Sequence, residues 1–126
     1  MMFYVMTQTR AIPLYLELAV TPNERAQGLM YRTHLEDLHG MLFIYGQPTH
    51  ASMWMRNTFI DLDVLFLDTT GRIQCIRQAY ALDETSVSCR PPVLTSFVIE
   101  LPLGTCKRYG IRQGDKVQSG TSLLAN

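Results

Sequence analysis

The stretch "LDVLFLDTTGRIQCIRQAY", residues 62–80, contains the features that decide the fold class. Its first part, "LDVLFLD", is so apolar that the strand it predicts must be largely buried. "DTTG" (68–71) follows, with Asp at its first position and Gly at its last, which is typical of a tight turn. The stretch therefore predicts a β-hairpin in which "RIQCIRQAY" is the second strand.

Five further strand candidates lie on either side of this hairpin. They are "PLYLELAV" (13–20), "GMLFIYG" (40–46), "HASMWMR" (50–56), "TSFVIEL" (95–101) and a short final strand after the turn "RQGDKV" (112–117). We expect "QPT" (47–49) to be a turn, and "ALDETSVSCRPPV" (81–93) to be the longest loop because it is polar and rich in Ser and Pro.

Two short helices interrupt the strands. Thr21 is a suitable N-cap for the first helix, Pro22 suits its first helical position, and Glu24 completes a capping box. Gly28 ends this helix early. The second helix lies in "PLGTCKRYGI" (102–111), where Gly110 suits the left-handed position that follows a helix.

Hairpin-length links between about seven short strands favour a mainly β fold, either a small antiparallel sandwich or a partly open barrel, with two short helices. The length of 126 residues is that of one domain, 1–126. We expect its core to span about residues 14–117 and its ends, 1–10 and 119–126, to fray.

Composition narrows the classes of partner. Eleven basic residues balance eleven acidic ones, so we expect no nucleic-acid partner and no attraction to an anionic membrane. The N-terminal "MMFYVMTQTR" is neither a signal peptide nor a membrane span. The chain as given reads as cytoplasmic, and a periplasmic or exported location stays open if the N-terminus is truncated.

The cysteines Cys75, Cys89 and Cys106 are odd in number and share no metal-binding spacing. A reducing compartment without a disulfide scaffold fits best, and one bridge with one free thiol remains the alternative. Cys89, beside Arg90, is the best candidate for a reactive thiol. We interpret Cys75 and Cys106 as small core residues.

One polar and aromatic cluster is the best candidate for a site. It contains Trp54, the chain's single tryptophan, with Arg56 and Asn57 close by and Asp63 at the entry to a buried run. In a strand, Trp54 and Arg56 share one face while Met53 and Met55 take the other. A buried Asp63 needs a partner, which Arg56 or Arg25 could supply, so a purely structural ion pair is the competing interpretation.

Other candidate sites are weaker. His50 with two methionines could bind Cu(I), but Met53 and Met55 are better explained as core side chains. The spacing of His34, His39 and His50 matches no local metal motif. We therefore predict no metal and no cofactor, and no phosphate loop or nucleophile motif is present.

In this order the segments resemble the domain of unknown function 192 family. The resemblance rests on "TPNERAQGLMYR", "HGMLFIY", "WMRNTFIDLDVLFLD" and "ELPLGTCKRYGIRQGDKV", and it extends from about Leu14 to Val117. The family positions matched here are Glu24, Arg25, Gly28, Leu29, Met30, Gly40, Met41, Trp54, Met55, Arg56, Asn57, Thr58, Asp63, Gly104, Gly110, Gly114 and Asp115.

Two positions depart from the family pattern. Met53 replaces a usual Phe, which argues against its being a metal ligand, and Asp61 replaces a usual Pro and adds a charge beside Asp63. The resemblance implies a compact β-rich domain and no established activity.

Three functional hypotheses follow. The first is a non-enzymatic binding module for a small polar or anionic ligand or a peptide, with Arg25, Trp54, Arg56, Asn57, Thr58 and Asp63 as ligand-binding residues. The second is a hydrolase-type enzyme with Asp63, or the Asp61–Asp63 pair, as general base and Arg56 as anion stabiliser. The third is a protein-interaction module without a pocket.

Overall fold

The fold is a mixed seven-stranded sheet that curls into an open half-barrel, accompanied by two short helices. A computed structural model describes residues 1–120. The elements are β1 (Met2–Met6), β2 (Ala11–Ala19), α1 (Pro22–Gln27), β3 (His39–Thr49), β4 (Leu62–Leu67), β5 (Ile73–Ala79), β6 (Thr95–Pro102), α2 (Thr105–Tyr109) and β7 (Lys116–Ser119). The predicted mainly β class, with its partly open barrel and two helices, is confirmed.

The strand order is β5-β4-β6-β3-β2-β1-β7. All neighbouring pairs are antiparallel except β2 and β3, which are parallel. A parallel pair needs a crossover connection, and α1 with the turns that follow it supplies one. At the open side an isolated bridge joins Arg72 to Lys116, so the two sheet edges meet at one point.

The sheet is buried on both faces, which explains why "LDVLFL" is apolar throughout. The concave face holds a barrel core of Val5, Ile12, Leu14, Leu16, Leu42, Leu65, Leu67, Ile73, Ile99, Leu101, Cys106 and Ile111. The other face holds an outer core that includes Ala19, Leu29, Met41, Phe43, Met53, Met55, Leu62, Val64, Phe66, Val87 and Val98. Alternate residues of β4 enter opposite cores because successive strand side chains point to opposite faces.

The capping box, the tight turn and the helix end that the sequence predicted are all present in the structure. Thr21 and Glu24 form the predicted capping box at the start of α1. The carboxylate of Asp68 accepts hydrogen bonds from the amides of Thr70 (2.9 Å) and Arg72 (3.0 Å), which holds the β4–β5 turn. Gly110 ends α2 at φ 72°, the left-handed conformation expected there.

The prediction that residues 1–10 fray is wrong. β1 pairs with both β2 and β7, and Val5 is fully buried. Six apolar residues looked too few for a strand with its own core face, but two neighbouring strands supply its backbone hydrogen bonds. Ser119 lies in β7 opposite Phe3, and residues 121–126 of the predicted frayed end lie outside the described residues.

Two assignments in the middle of the chain are also wrong. "QPT" is the end of β3 and not a turn, and the pairing with β6 shifts register between Ile44 and Thr49. "HASMWMR" is an irregular segment whose one β-bridge joins Met53 to Val87. It covers the outer core, and a strand there was predicted because covering segments and strands share the same alternation of buried and exposed residues.

The cysteines follow the alternative of one bridge and one free thiol. Cys75 on β5 is bonded to Cys89, with a Cα–Cα distance of 6.3 Å. Cys89 is therefore not the reactive thiol that its position beside Arg90 suggested. Cys106 is free and buried, as expected. No helix in residues 1–120 is long and apolar enough to cross a membrane.

Candidate functional site

The segment 50–60 presents the predicted two faces although it is not a strand. Met53 and Met55 are buried in the outer core, whereas Trp54 is 54% exposed. Backbone hydrogen bonds between Met53 and Val87, of 2.9 and 2.7 Å, hold this alternation in place. The guanidinium of Arg56 lies over the Trp54 ring, 5.9 Å from its centroid, which is a cation–π geometry.

Next to Trp54 the backbone adopts unusual conformations. Four non-glycine residues of the described chain have positive φ, and three of them meet here: Tyr31 (68°), Asn57 (53°) and Leu82 (62°). The carbonyl of Asn57 accepts from the amide of Tyr31 at 2.7 Å, and the carbonyl of Thr58 accepts from the amide of Leu82 at 3.0 Å. The side-chain amide of Asn57 also donates to the Tyr31 hydroxyl at 3.0 Å. These contacts lock three separate segments into one surface.

An outer depression of about 330 Å³ opens on this surface. Its lining residues are Trp54, Arg56, Asn57, Leu82, Asp83 and Glu84. Asp83 accepts hydrogen bonds from the amide and hydroxyl of Thr85, and these bonds hold its pKa below the ordinary range. The Arg56 guanidinium forms no ion pair with any residue in 1–120. The depression therefore combines an aromatic face, a guanidinium without an ion-pair partner in residues 1–120, and the carboxylates of Asp83 and Glu84.

Asp63 lies on the other side of the sheet. Its side chain is buried and accepts a hydrogen bond from the Cys106 amide at 2.9 Å. It lines a separate depression beside Gly104 and Lys107. The predicted ion pair of Asp63 with Arg56 or Arg25 is not formed, because alternation along β4 turns Asp63 toward α2 while Trp54 and Arg56 cover the opposite face.

The carboxyl group of Asp63 has a structural partner in Cys106, whose backbone amide donates to it. Burial, together with Asp63, raises the pKa of the Cys106 thiol, so that thiol stays protonated. The neighbouring Asp61 accepts a hydrogen bond from the Ala81 amide at 2.8 Å and so ties down the start of the 81–93 loop. Both carboxylates of the pair proposed as general base, Asp61 and Asp63, are thus bonded to the protein's own backbone.

Arg25 and Thr58 line an inner cleft on the far side of Trp54. The Arg25 guanidinium donates to the carbonyls of Val20 and Ile44, the latter at 3.0 Å, and lies 5.1 Å from the centre of the Tyr45 ring. The inner cleft holds about 20 Å³, roughly the room of one water molecule. It brings together three of the sequence-predicted site residues: Arg25, Trp54 and Thr58.

Glu100 also lines the inner cleft, and the sequence analysis missed it. It is 4% exposed and pairs with Met41 on β3 and Val64 on β4, so its side chain enters the outer core. Burial raises its pKa to about 8. The sequence carried a signal: in "TSFVIEL" Glu100 shares a face with Val98, and a strand between two wholly apolar strands must be buried on both faces.

The inner cleft depends on close backbone packing. A Cβ at Gly40 would lie 1.9 Å from the carbonyl oxygen of Glu100, so only glycine allows β3 to approach β6 here. Gly28 abuts the ring of Phe43, which lines the same cleft. Gly40 is therefore explained by the approach of β3 to the Glu100 backbone, and Gly28 by its contact with Phe43 and its φ of 48°.

Comparison with known proteins identifies the family to which this chain belongs. The sequence profile of the domain of unknown function 192 family, described as "Uncharacterized ACR", matches residues 4–119. The chain belongs to the DUF192 family. The resemblance inferred from its motifs is thereby confirmed.

Two solved structures resemble this DUF192 protein closely. One is described as a proposed transcription regulator from Sinorhizobium meliloti 1021; it is 40% identical, with a TM-score of 0.87, over 94% of this chain and 92% of that one. The other is a protein of unknown function from Novosphingobium aromaticivorans DSM 12444, 39% identical with a TM-score of 0.86, over 93% of this chain and 83% of that one. Among curated proteins, none matches this DUF192 sequence.

Proposed function

We propose that this DUF192 protein is a non-enzymatic binding module whose ligand is a small polar or anionic molecule or a peptide. The observation that carries the proposal is the meeting of Tyr31, Asn57 and Leu82, all with positive φ, beside the exposed Trp54. A left-handed non-glycine residue is unfavourable by about 1–2 kcal/mol, and such residues gather at sites where function requires a particular backbone shape.

Each side chain of the outer depression has a role in this proposal. Trp54 stacks on a flat or apolar part of the ligand, and Arg56 binds a carboxylate or phosphate, for which its planar guanidinium is suited. Asn57 contributes its side-chain carbonyl oxygen, since its amide group bonds to Tyr31. Arg25 and Thr58 support Trp54 from the inner cleft. Asp63 has no direct part, because it lies across the sheet.

A second candidate is a protein-interaction surface without a small-molecule ligand. Exposed apolar side chains cluster around the same depression: Tyr31 (64%), Leu82 (55%) and Phe59 (46%). The rings of Tyr31 and Phe59 lie 6.3 Å apart. Contiguous exposed apolar residues of this kind mark protein contacts in other proteins.

The hydrolase hypothesis has no such support. Its proposed base Asp63 and its anion stabiliser Arg56 line different depressions. Although the Sinorhizobium relative is described as a proposed transcription regulator, the helices α1 and α2 of this chain span only six and five residues. A recognition helix that fills the major groove is longer than this.

The test is ligand binding followed through the fluorescence of Trp54, the single tryptophan. A panel of carboxylates, sugar phosphates, oligosaccharides and short peptides is titrated into wild type and into Arg56→Ala. We expect an anionic member to perturb Trp54 in wild type, and its affinity to fall at least about tenfold in Arg56→Ala, because a charge-assisted bond of about 1.5–3 kcal/mol is lost.

Arg112→Ala is the matched control, since Arg112 is exposed and remote in the α2–β7 turn. Both variants should melt within a few degrees of wild type, because surface substitutions change stability little. The proposal fails if no panel member perturbs Trp54, or if Arg112→Ala weakens binding as much as Arg56→Ala. The interaction surface is favoured if only folded partner proteins, and no small ligand, perturb Trp54.

A further inference from the structure

The carboxyl group of Glu100 is buried without a partner. No described residue donates a hydrogen bond to it or forms an ion pair with it. No fully enclosed side-chain nitrogen or oxygen in residues 1–120 lacks a hydrogen-bond partner. The carboxyl oxygens must therefore keep a small accessible area, and the inner cleft is the space they face.

The charged groups around Glu100 do not neutralise it. Arg25 is the other charged side chain lining the cleft, and its guanidinium is bound to the carbonyls of Val20 and Ile44. Tyr45, on β3, is the other titratable group that interacts electrostatically with Glu100. Its hydroxyl donates a hydrogen bond to the sulfur of Met53 at 3.4 Å. The ionised carboxyl thus lacks a counter-charge of its own, a costly arrangement in a protein interior.

Most of the remaining lining residues of the inner cleft are apolar or aromatic, and Gln27 and Thr58 are the polar exceptions. Leu29, Met30, Phe43 and Met53 line the cleft together with Glu100, and the half-exposed Trp54 lines it as well. Thioethers and aromatic faces both accommodate an aliphatic stem that carries a positive charge. Glu100 is the one carboxyl group in the lining and has no counter-ion in residues 1–120, so a cation is the ligand that matches it.

We propose that the inner cleft binds a primary ammonium group on an unbranched aliphatic stem, with Glu100 as its counter-ion and Trp54 as the wall along which the stem leaves. The inference rests on the proposed binding function and adds a second, cationic subsite on the other face of Trp54. The source of the group is either a lysine side chain of a partner protein or a free alkyl amine.

Size and ligand chemistry argue against guanidinium groups, quaternary ammonium groups and hard divalent metals. A cleft of about 20 Å³ admits a group the size of water, which fits an ammonium but not a planar guanidinium or a quaternary ammonium. Hard divalent metals require several oxygen ligands, and residues 1–120 contain no cluster of three or more His, Cys, Asp or Glu side chains that could hold one.

Binding should depend on pH in a defined direction. An ammonium binds the ionised carboxyl, and with a pKa of about 8 Glu100 is ionised mostly at about pH 9 and hardly at about pH 6. Alkyl ammonium groups remain charged over this range. We therefore expect affinity to rise roughly 100-fold between these two pH values, by proton linkage.

The experiment titrates n-butylamine, which reproduces the lysine side chain, into the protein and records Trp54 fluorescence and calorimetric heat. N-acetyl-lysine N-methylamide forms a second arm. Binding of both amines assigns the subsite to amines in general, and binding of the lysine derivative alone assigns it to a partner's lysine; both support the inference. The neutral 1-butanol is the control for the apolar stem.

Glu100→Gln keeps the shape of the side chain and removes its charge, so amine affinity should fall at least about tenfold. Glu84→Gln is the matched control, since Glu84 lines the outer depression. Wild-type affinity in Glu100→Gln, a loss in Glu84→Gln alone, or no pH dependence in wild type would each overturn the inference. Arg56→Ala should keep amine binding, so failure of the anionic ligand and failure of the amine subsite are told apart.

Discussion

Replacing Glu100 by glutamine should make the protein more stable at alkaline pH. The pKa of this carboxyl rises from an ordinary 4.5 in the unfolded chain to about 8 in the folded one, because burial disfavours the charged form. The folded state therefore holds the proton more tightly. The contribution of protonated Glu100 to the stability of the folded state is fully present below about pH 4.5 and falls as pH rises, until the loss is complete above about pH 8.

The magnitude follows from the difference in pKa. A difference between 8 and 4.5, at about 1.4 kcal/mol per unit, corresponds to roughly 5 kcal/mol when the titration is complete. Between about pH 5 and pH 9 the loss is about 4 kcal/mol, because part of the titration lies outside that interval. For a chain of 126 residues this corresponds to about 15 °C in Tm.

The assay is urea unfolding of wild type and Glu100→Gln at matched pH values, with the disulfide kept oxidised. The quantity to compare is the difference in free energy of unfolding between the two proteins, since groups that titrate alike in both cancel. That difference should move by about 4 kcal/mol in favour of the variant from about pH 5 to pH 9. A difference that changes by less than about 1 kcal/mol would refute the reasoning, because the carboxyl would then be solvated or paired.

Three further predictions concern the left-handed Leu82, the buried Asp63 and the Cys75–Cys89 disulfide. Leu82→Gly should leave the free energy of unfolding unchanged or raise it by up to about 1 kcal/mol, because Leu82 has φ 62°, a conformation that glycine adopts readily. The same change should weaken binding of the ligand that perturbs Trp54 fluorescence. A clear loss of stability in urea unfolding would contradict this prediction. Asp63→Ala should lower stability by about 1–3 kcal/mol, because the Cys106 amide loses its acceptor, without changing that ligand's affinity in the same fluorescence titration. Removing the Cys75–Cys89 bridge, with both cysteines changed to Ala, should lower stability by about 3 kcal/mol in denaturant unfolding, since it closes a loop with a sequence separation of 14; an unchanged midpoint would argue against the bridge.

Local patterns predicted most of the fold. The capping box of Thr21 and Glu24, the turn at Asp68 and the left-handed Gly110 all formed as expected, because each depends on hydrogen bonds within a few residues. The buried runs at β3, β4 and β6 were found for a similar reason, since apolar composition reports burial directly. The error at the N-terminus was partly long-range, since β1 pairs with the adjacent β2 but also with β7, at the other end of the described chain.

The site was predicted less completely than the fold. The alternation of Met55 with Trp54 and Arg56 was correct, and it selected the surface that carries the outer depression. The partner of Asp63 was wrong, because strand periodicity states which residues share a face but not what lies across the sheet. Glu100 was overlooked, since the burial of its strand on both faces became clear only with the apolar neighbours β3 and β4 in place.

The sequence by itself determined the β class, the positions of both helices, the family and the two-faced segment around Trp54. These depend on spacing and composition, which local chemistry translates into structure. Only the tertiary structure decided that Asp63 bonds to α2 and that Glu100 faces Trp54. The reason is physical: the partner of a buried charge is set by which distant strands become neighbours, and strand order does not follow from the order of residues in the chain.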